Sequence, residues 1–363
     1  MICCDRCLRR SILLGVMAPL IEVAAADAPG KRTKELLALP DDELAQAIAP
    51  GQAANLIRTA RERDIGELRR RMRAGSIWAC CRDDPRYPAP LRGDPQSPPA
   101  LLGRGDPERL DDLDFDASVT VVGSRRASSY GREVAHSLAS ELAAAGLTVI
   151  SGMARGIDSR AHEGALDAGG LTVAVFGCGP DVVHPPSAVR LNDRIVDRGL
   201  TISELPPGIR PHRWSFPARN RIMAALGRMT VVVEAAAGSG SLITARMAAD
   251  LGREVGAVPG RIGTKVAEGA NGLLADGAIV VRGAQDVLDA MLGVGAPRLE
   301  RQAAELSDDQ ATILELVERG HETPDAVATA SGLPVTEAIA ALSALELLGR
   351  VSVGASGRYV AAS

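Results

Sequence analysis

Short stretches rich in Gly and Ser recur between residues 120 and 245, and two of them carry arginines. They read Gly123-Ser124-Arg125-Arg126, Ser151-Gly152-Met153-Ala154-Arg155-Gly156, Gly177-Cys178-Gly179 and Gly238-Ser239-Gly240-Ser241, the last followed by Thr244. Small residues let a ligand approach the backbone closely. Free N–H groups at a helix start favour an anion, and a guanidinium offers a phosphate a fork of donors. The phosphate-binding candidates are therefore Gly123, Ser124, Arg125, Gly152, Arg155, Gly156, Ser239, Gly240 and Ser241. A tight strand-to-helix turn accounts for any one stretch without a ligand, but is strained as an account of them together.

The segment Pro206–Arg221 adds a different chemistry. It holds Arg210, Arg213, Arg219 and Arg221, interleaved with His212, Trp214 and Phe216, and contains no acid. Cations that follow phosphates and rings that stack on unpaired bases are what a single-stranded nucleic acid requires. Phe216, Arg219, Asn220 and Arg221 are its leading candidates, Asn220 as a hydrogen-bonding partner for a base edge. The competing account is an Arg-rich loop with buried aromatics.

No catalytic residue is assigned. His162 has no Asp or nucleophile partner in its vicinity and reads as a core or helix-capping residue; Asp158 reads as the cap of the helix it starts. Common nucleotide motifs are also missing. Gly123 is followed by Ser-Arg-Arg rather than the rest of G-x-G-x-x-G, and Ser151-Gly152 stands where a ribose-binding acid would end the second strand. There is no Walker sequence, and Lys265 is the only lysine of the core. No cofactor is expected.

These loops need a scaffold, and the surrounding pattern supplies one. Apolar β-branched runs at Val119–Val122, Leu147–Ile150, Thr172–Phe176, Leu200–Ser203, Met229–Val233, Glu254–Val258 and Ala278–Val281 alternate with helical stretches such as Tyr130–Ala145, Ser159–Ala168 and Gly240–Leu251. Such alternation predicts an α/β fold: a Rossmann-like, doubly wound, mainly parallel sheet covered on both faces. Ligands of that fold bind beyond the carboxyl ends of the strands, which is where the Gly/Ser/Arg stretches fall.

The chain has 363 residues, more than one compact domain. Residues 1–75 read as a helical N-terminal region of the SAM or helix-hairpin-helix type, with Pro40-Asp41-Asp42-Glu43 opening one helix. Residues 76–117, rich in Pro, read as a connector packed on the core that starts with a strand at Ser76–Cys81. The core spans 118–292, a polar linker 293–305, and a small domain 306–363. Three helices and a hairpin predict a winged helix there, with a capping box at Ser307–Gln310, a third helix ending at Gly349 and a turn at Gly354–Gly357. That domain has eight acids against three arginines, a net of −5, and its third helix carries Glu337 and Glu346 without a base. It is thus expected to be a protein-interaction module or regulatory cover rather than a major-groove reader.

Net charge is −4, so a nucleic-acid site must be local rather than a general basic coat. Aromatic residues are only 2% of the chain, which makes each one beside a polar cluster informative. The cysteines at 3, 4, 7, 80, 81 and 178 do not form a disulfide framework. Cys3, Cys4 and Cys7 could bind zinc with Cys80 and Cys81 completing the site, but the usual paired spacing is absent, so they are read as reduced thiols and no metal is assigned. Arg6, Arg9 and Arg10 before the apolar run Ser11–Ile21 resemble an export signal, yet Pro19 and Glu22 interrupt it, and a docked helix in a cytoplasmic protein is expected. No membrane association is expected.

The same residues carry a family resemblance. Val122-Gly-Ser-Arg125 with Tyr130-Gly131, Ser151-Gly-Met-Ala-Arg-Gly-Ile-Asp158 with His162, Ser203-Glu204, Phe216-Pro-Ala-Arg-Asn-Arg221, Val233-Glu234, Ser239-Gly-Ser-Leu-Ile-Thr244, Val258-Pro-Gly260, Gly269-Ala-Asn271 and, upstream, Asp84-Pro-Arg-Tyr-Pro88 resemble the DprA/Smf family of bacterial DNA-processing proteins. His184 departs from the family, which more often has an aromatic there. The resemblance implies a Rossmann-like core that dimerises and binds single-stranded DNA, with contacts at Ser124, Arg125, Phe216, Arg219, Asn220 and Arg221. It further implies a homodimer that loads RecA recombinase in natural transformation or related repair, without enzymatic activity. The alternative is a nucleotide phosphoribohydrolase-like enzyme on a related fold. It is disfavoured because Ala237–Ala245 lacks both the Gly pair and the catalytic Glu of the P-G-G-x-G-T-x-x-E motif.

Overall fold

The computed structural model describes residues 3–25, 31–94, 96–293, 307–347, 351–353 and 358–361. The chain divides into two units, Met1–Pro297 and Arg298–Ser363.

The first unit begins with helices α1 (Asp5–Ala24), α2 (Lys31–Ala38), α3 (Asp41–Ile48), α4 (Ala53–Glu62) and α5 (Ile65–Ala74). Asp41, Asp42 and Glu43 fill the first turn of α3, where the helix dipole favours acids. Asp64 caps α5 by accepting from the Gly66 amide at 2.7 Å. Helix α1 is the docked helix expected from its apolar run: Leu8, Leu13, Met17 and Ile21 are 2% exposed or less.

Strands and helices then follow in the order β1 (Trp78–Cys81), α6 (Ala89–Arg92), β2 (Ala100–Gly105), β3 (Ser118–Val122), α7 (Ser129–Ala144), β4 (Thr148–Ser151), α8 (Ile157–Asp167) and β5 (Thr172–Val175). They continue with α9 (Val189–Arg198), β6 (Leu200–Ser203), α10 (Ser215–Leu226), β7 (Met229–Val232), α11 (Gly240–Asp250), β8 (Glu254–Ala257), α12 (Glu268–Ala275), β9 (Ile279–Val280) and α13 (Ala284–Leu292). Among the described residues these strands form one sheet in the order β1-β2-β6-β5-β4-β3-β7-β8-β9. From β6 to β9 every pairing is parallel, in registers such as Val119↔Val149 and Val119↔Met229. All residues of β3 to β7 are buried, as their continuous apolar runs require. The segment expected as a connector also supplies two strands of this sheet. β1 pairs antiparallel with β2, and β2 antiparallel with β6.

The chain walks from β3 outward to β6, then returns to the other side of β3 with β7. The order therefore reverses between β3 and β7, and the crevice at their carboxyl ends is the ligand position of doubly wound sheets.

The second unit holds α14 (Asp308–Glu318), α15 (Pro324–Ser331), α16 (Val335–Leu347) and a hairpin of β10 (Val351–Val353) with β11 (Tyr359–Ala361). The expected capping box forms, with Ser307 and Gln310 each satisfying the other's backbone amide. Ile313, Val327, Ala338, Leu342, Leu345 and Val351 make its core. This is a winged helix. The linker beyond Gly293, the helix end at Gly349 and the turn Gly354–Gly357 lie outside the described residues. No single helix among the described residues is long and apolar enough to cross a membrane.

Candidate nucleic-acid interface

The site is assembled by three turns that lock onto one another. After β3, the Ser124 amide donates to the Glu234 carbonyl at 2.6 Å, and the Ser124 carbonyl accepts from the Ile157 amide at 3.2 Å. The turn after β4 can only approach this closely because residue 156 is glycine. Gly156 has φ +85°, and a Cβ there would lie 2.2 Å from the Ser124 carbonyl oxygen. Glu234, just past β7, is spent on structure: its carboxylate accepts from the Ser128 amide at 2.8 Å and hydroxyl at 2.7 Å, while Ser128 caps α7. Ser239 caps α11, and its hydroxyl lies 2.8 Å from that of Ser241.

Two clefts open on this edge. The smaller, about 330 Å³, is lined by Arg125, Arg155, Gly152, His184, Phe216 and Arg219, among others. The larger, about 760 Å³, runs past Gly123, Ser124, Arg213, Asn220, Ser239 and Gly240 to Glu22 and Ala25 of the N-terminal region. Arg125, Arg126, Phe216 and Arg219 line both. The half-buried ring of Phe216 stands at the junction. The Arg125 guanidinium carbon lies 5.0 Å from its centroid, that of Arg219 5.8 Å, and the His184 ring 5.4 Å at a 40° tilt. Such distances are those of cation–π contacts. Burial and the Arg125, Arg219 and Arg155 charges hold His184 below its ordinary pKa.

The arginines divide into two kinds. Arg125, Arg126, Arg155 and Arg213 are exposed, and their side chains make no hydrogen bond or ion pair among the described residues. Arg219 and Arg221 face inward. Arg219 is 5% exposed; its guanidinium donates to the carbonyls of Gly152 and Val175 and lies 3.9 Å from Asp158. Burial lowers the Arg219 pKa and raises that of Asp158, each opposed by the partner's charge. Arg221 is 4% exposed and pairs with Glu204 at 2.6 Å. Its guanidinium is not brought to the clefts. Asn220 lines the larger cleft, with its amide donating to the Gly240 carbonyl at 3.3 Å.

Two further expectations change, and that of His162 is met. Trp214 is not a stacking surface: it is 1% exposed and donates from Nε1 to the Ala18 carbonyl at 2.9 Å, so α1 claims it. Asp158 is not the helix cap, a position taken by Gly156; its carboxylate instead accepts from the Ala154 amide at 3.4 Å and compensates Arg219. His162 is a core residue, with Nδ1 2.7 Å from the Thr172 hydroxyl and a pKa pushed down by burial to about 3. The clefts also gain residues that sequence reasoning left off the site. Arg126 and Arg213 stand in the Arg-rich stretches themselves, while His184 was marked only by its departure from the family pattern.

Comparison with known proteins decides the lineage. The family model described as DNA recombination-mediator protein A matches residues 78–292, more than half of the chain, and the DprA winged helix domain matches residues 297–357. The chain belongs to the DprA/Smf family of DNA-processing proteins. A Mycobacterium tuberculosis protein of the DprA name is 40% identical over 257 residues, covering 69% of this chain and 66% of that protein. The chain therefore spans slightly less than two thirds of that relative's length. The crystal structure of DprA from Streptococcus pneumoniae superposes with a TM-score of 0.60 at 36% identity, covering 69% of this chain and 86% of that one. DprA from Helicobacter pylori, whose structure is described as revealing a unique single-stranded DNA binding mode, gives 0.53 at 29% identity, covering 60% and 95%. In this DprA/Smf chain the smaller cleft lies within the segment that the family model matches, and the larger one adds Glu22 and Ala25 from outside it.

Proposed function

We propose that this chain binds single-stranded DNA across the two clefts and hands the strand to RecA recombinase. The observation that carries the reading is Phe216 at the cleft junction, with the unpaired guanidinium of Arg125 beside it. An aromatic face offers stacking to an unpaired base, and free guanidinium groups track the phosphates on either side. The DNA-contacting set is Gly123, Ser124, Arg125, Gly152, Arg155, Phe216, Asn220, Ser239, Gly240 and Ser241, with Arg126 and Arg213 added, while Gly156 lies outside both linings and serves the close approach of two turns. Arg219 supports the floor of both clefts, and Arg221 acts through the fold. The named likeness to a strand-binding relative supports the same ligand.

The chain acts by binding rather than catalysis. The two carboxylates that line the larger cleft have partners, Glu22 the Trp214 amide and Asp158 the Arg219 guanidinium, and outside the linings Glu234 holds Ser128 and Glu204 holds Arg221. A homodimer through the Rossmann-like core, action in the cytoplasm during DNA uptake and recombination, and RecA as partner complete the proposal; these rest on the family.

The test is a binding titration of the purified chain with a labelled single strand, competed by the same strand or by blunt duplex of equal length. Single strands must compete far better. Addition of RecA to strands coated with the single-strand-binding protein must then show faster filament nucleation with the chain than without it. Equal competition by duplex would overturn the binding mode, and unchanged nucleation the handover.

A further inference from the structure

The N-terminal thiols, scattered in sequence, converge in space. Cys4 precedes α1, Cys7 sits in its first turn, Cys81 ends β1, and Asp83 follows in the adjoining turn. One ligand atom from each of Cys4, Cys7, Cys81 and Asp83 lies within 4.8 Å of all the others. Cys7 and Cys81 are 4% and 3% exposed, Cys4 is half-buried and Asp83 exposed.

We propose that Cys4, Cys7, Cys81 and Asp83 bind one Zn²⁺ ion, which fastens the start of α1 to the edge of the sheet. A tetrahedral zinc with Zn–S bonds of ~2.3 Å sets neighbouring sulfurs roughly 3.8 Å apart, a separation the cluster reaches with small adjustments. Three thiolates exclude calcium and magnesium, which take oxygen ligands, and the short mutual distances fit a single ion rather than an iron–sulfur cluster. The surroundings favour anionic ligands. Helix α1 has no side-chain cap at Cys4, so its first amides are left for the thiolates, and Arg6 lies 3.8 Å from Asp83. Arg69 fixes the approach by donating to the Cys3 carbonyl and to Asp5, both at 2.8 Å. Strand alternation separates Cys80 from the site: Cys81 packs with the α1 core, Cys80 with the opposite one.

The clamp reaches toward the clefts through α1. The ion would hold its first turn, while its last turn carries Glu22, which lines the larger cleft and accepts from the Trp214 amide at 3.2 Å.

The experiment is elemental analysis of the full chain purified without chelator or affinity metal, followed by cobalt replacement. One zinc per chain is expected, and the Co²⁺ form must show tetrahedral d–d bands with a thiolate-to-cobalt charge-transfer band. Cys7→Ser and Cys81→Ser must lose the ion, Asp83→Ala must bind it at least tenfold more weakly, and Cys80→Ser and Cys178→Ser must keep it. Because Cys7 and Cys81 are buried, the metal content and cobalt spectrum of the unaltered chain decide the matter even if those variants fail to fold. Zinc well below one per chain that Zn²⁺ addition under reducing conditions does not restore, or an octahedral cobalt spectrum, would overturn the site. Full affinity in Asp83→Ala would overturn the fourth ligand.

Discussion

The guanidinium of Arg219 occupies the space that a side chain at position 152 would need. A Cβ built on Gly152 falls 2.3 Å from the guanidinium carbon, and the Gly152 carbonyl is one of the acceptors that hold it. Glycine at 152 is thus the condition for an arginine inside the sheet edge, and that arginine in turn neutralises Asp158. Gly152→Ala should destabilise the first unit by roughly 1–3 kcal/mol through overpacking. Both tryptophans, Trp78 and Trp214, lie in this unit, so denaturant unfolding followed by tryptophan fluorescence reads it directly. A variant that unfolds at the parent's midpoint would contradict the arrangement.

Arg221 looks like a DNA ligand in the sequence and is a structural residue in the fold. Removing one partner of a buried ion pair leaves an uncompensated charge and costs ~3–5 kcal/mol. Arg221→Ala should lose about that much by the same fluorescence measurement, whereas Arg125→Ala and Arg155→Ala, both exposed, should melt like the parent. A normally stable Arg221→Ala with weakened DNA binding would assign Arg221 to the ligand instead.

His162 makes stability depend on pH with a definite sign. Its folded pKa is pushed down by burial to about 3, below the ordinary histidine value. Between those two values the unfolded chain holds a proton that the folded chain refuses, so stability is fully present above pH 6.5 or so and falls as the pH drops toward 3. The loss should approach ~1.4 kcal/mol per pH unit in that window. Carboxylates contribute their own dependence, so the comparison is between the parent and His162→Asn. The parent's stability advantage should shrink steadily from pH 6 to pH 4. A constant difference would mean that His162 is protonated in the fold.

Much of this architecture is legible in the sequence, and the exceptions have a common cause. The runs Val119–Val122 and Met229–Val233 are apolar enough to announce buried parallel strands, and the Gly/Ser turns after them announce the ligand edge. Helix α10 announces nothing. Ten of its twelve residues are buried, so it has no polar face and no helical period to detect. Its arginines therefore read as solvent-facing, when Glu204 and Asp158 from distant segments draw them inward. Trp214 is hidden for the same reason, since its partner is Ala18. Strand β2 escapes because Pro98, Pro99 and Gly103 crowd it, and its pairing with β6 is set by tertiary contact. The thiol cluster is legible only in part: Cys4, Cys7 and Cys81 stand in the sequence among possible zinc ligands, but Asp83 does not, because a helix start and a strand end supply the set, a spacing that no linear motif describes.

If Phe216 stacks on a base while Arg125 holds a phosphate, as proposed, a salt titration separates the two. Stacking is worth ~1–3 kcal/mol per base by alanine substitution, so Phe216→Ala should weaken single-strand binding roughly tenfold to a hundredfold. It should leave the dependence of log K on log salt nearly unchanged, since no ionic contact is lost. Arg125→Ala should weaken binding and flatten that slope by about 0.7, the contribution of one phosphate on a single strand. Thermal melts must first show both variants folded like the parent. If folded Phe216→Ala binds normally, or flattens the slope as much as Arg125→Ala does, the ring is not a stacking platform and the assignment of the cleft junction to single-stranded DNA is contradicted.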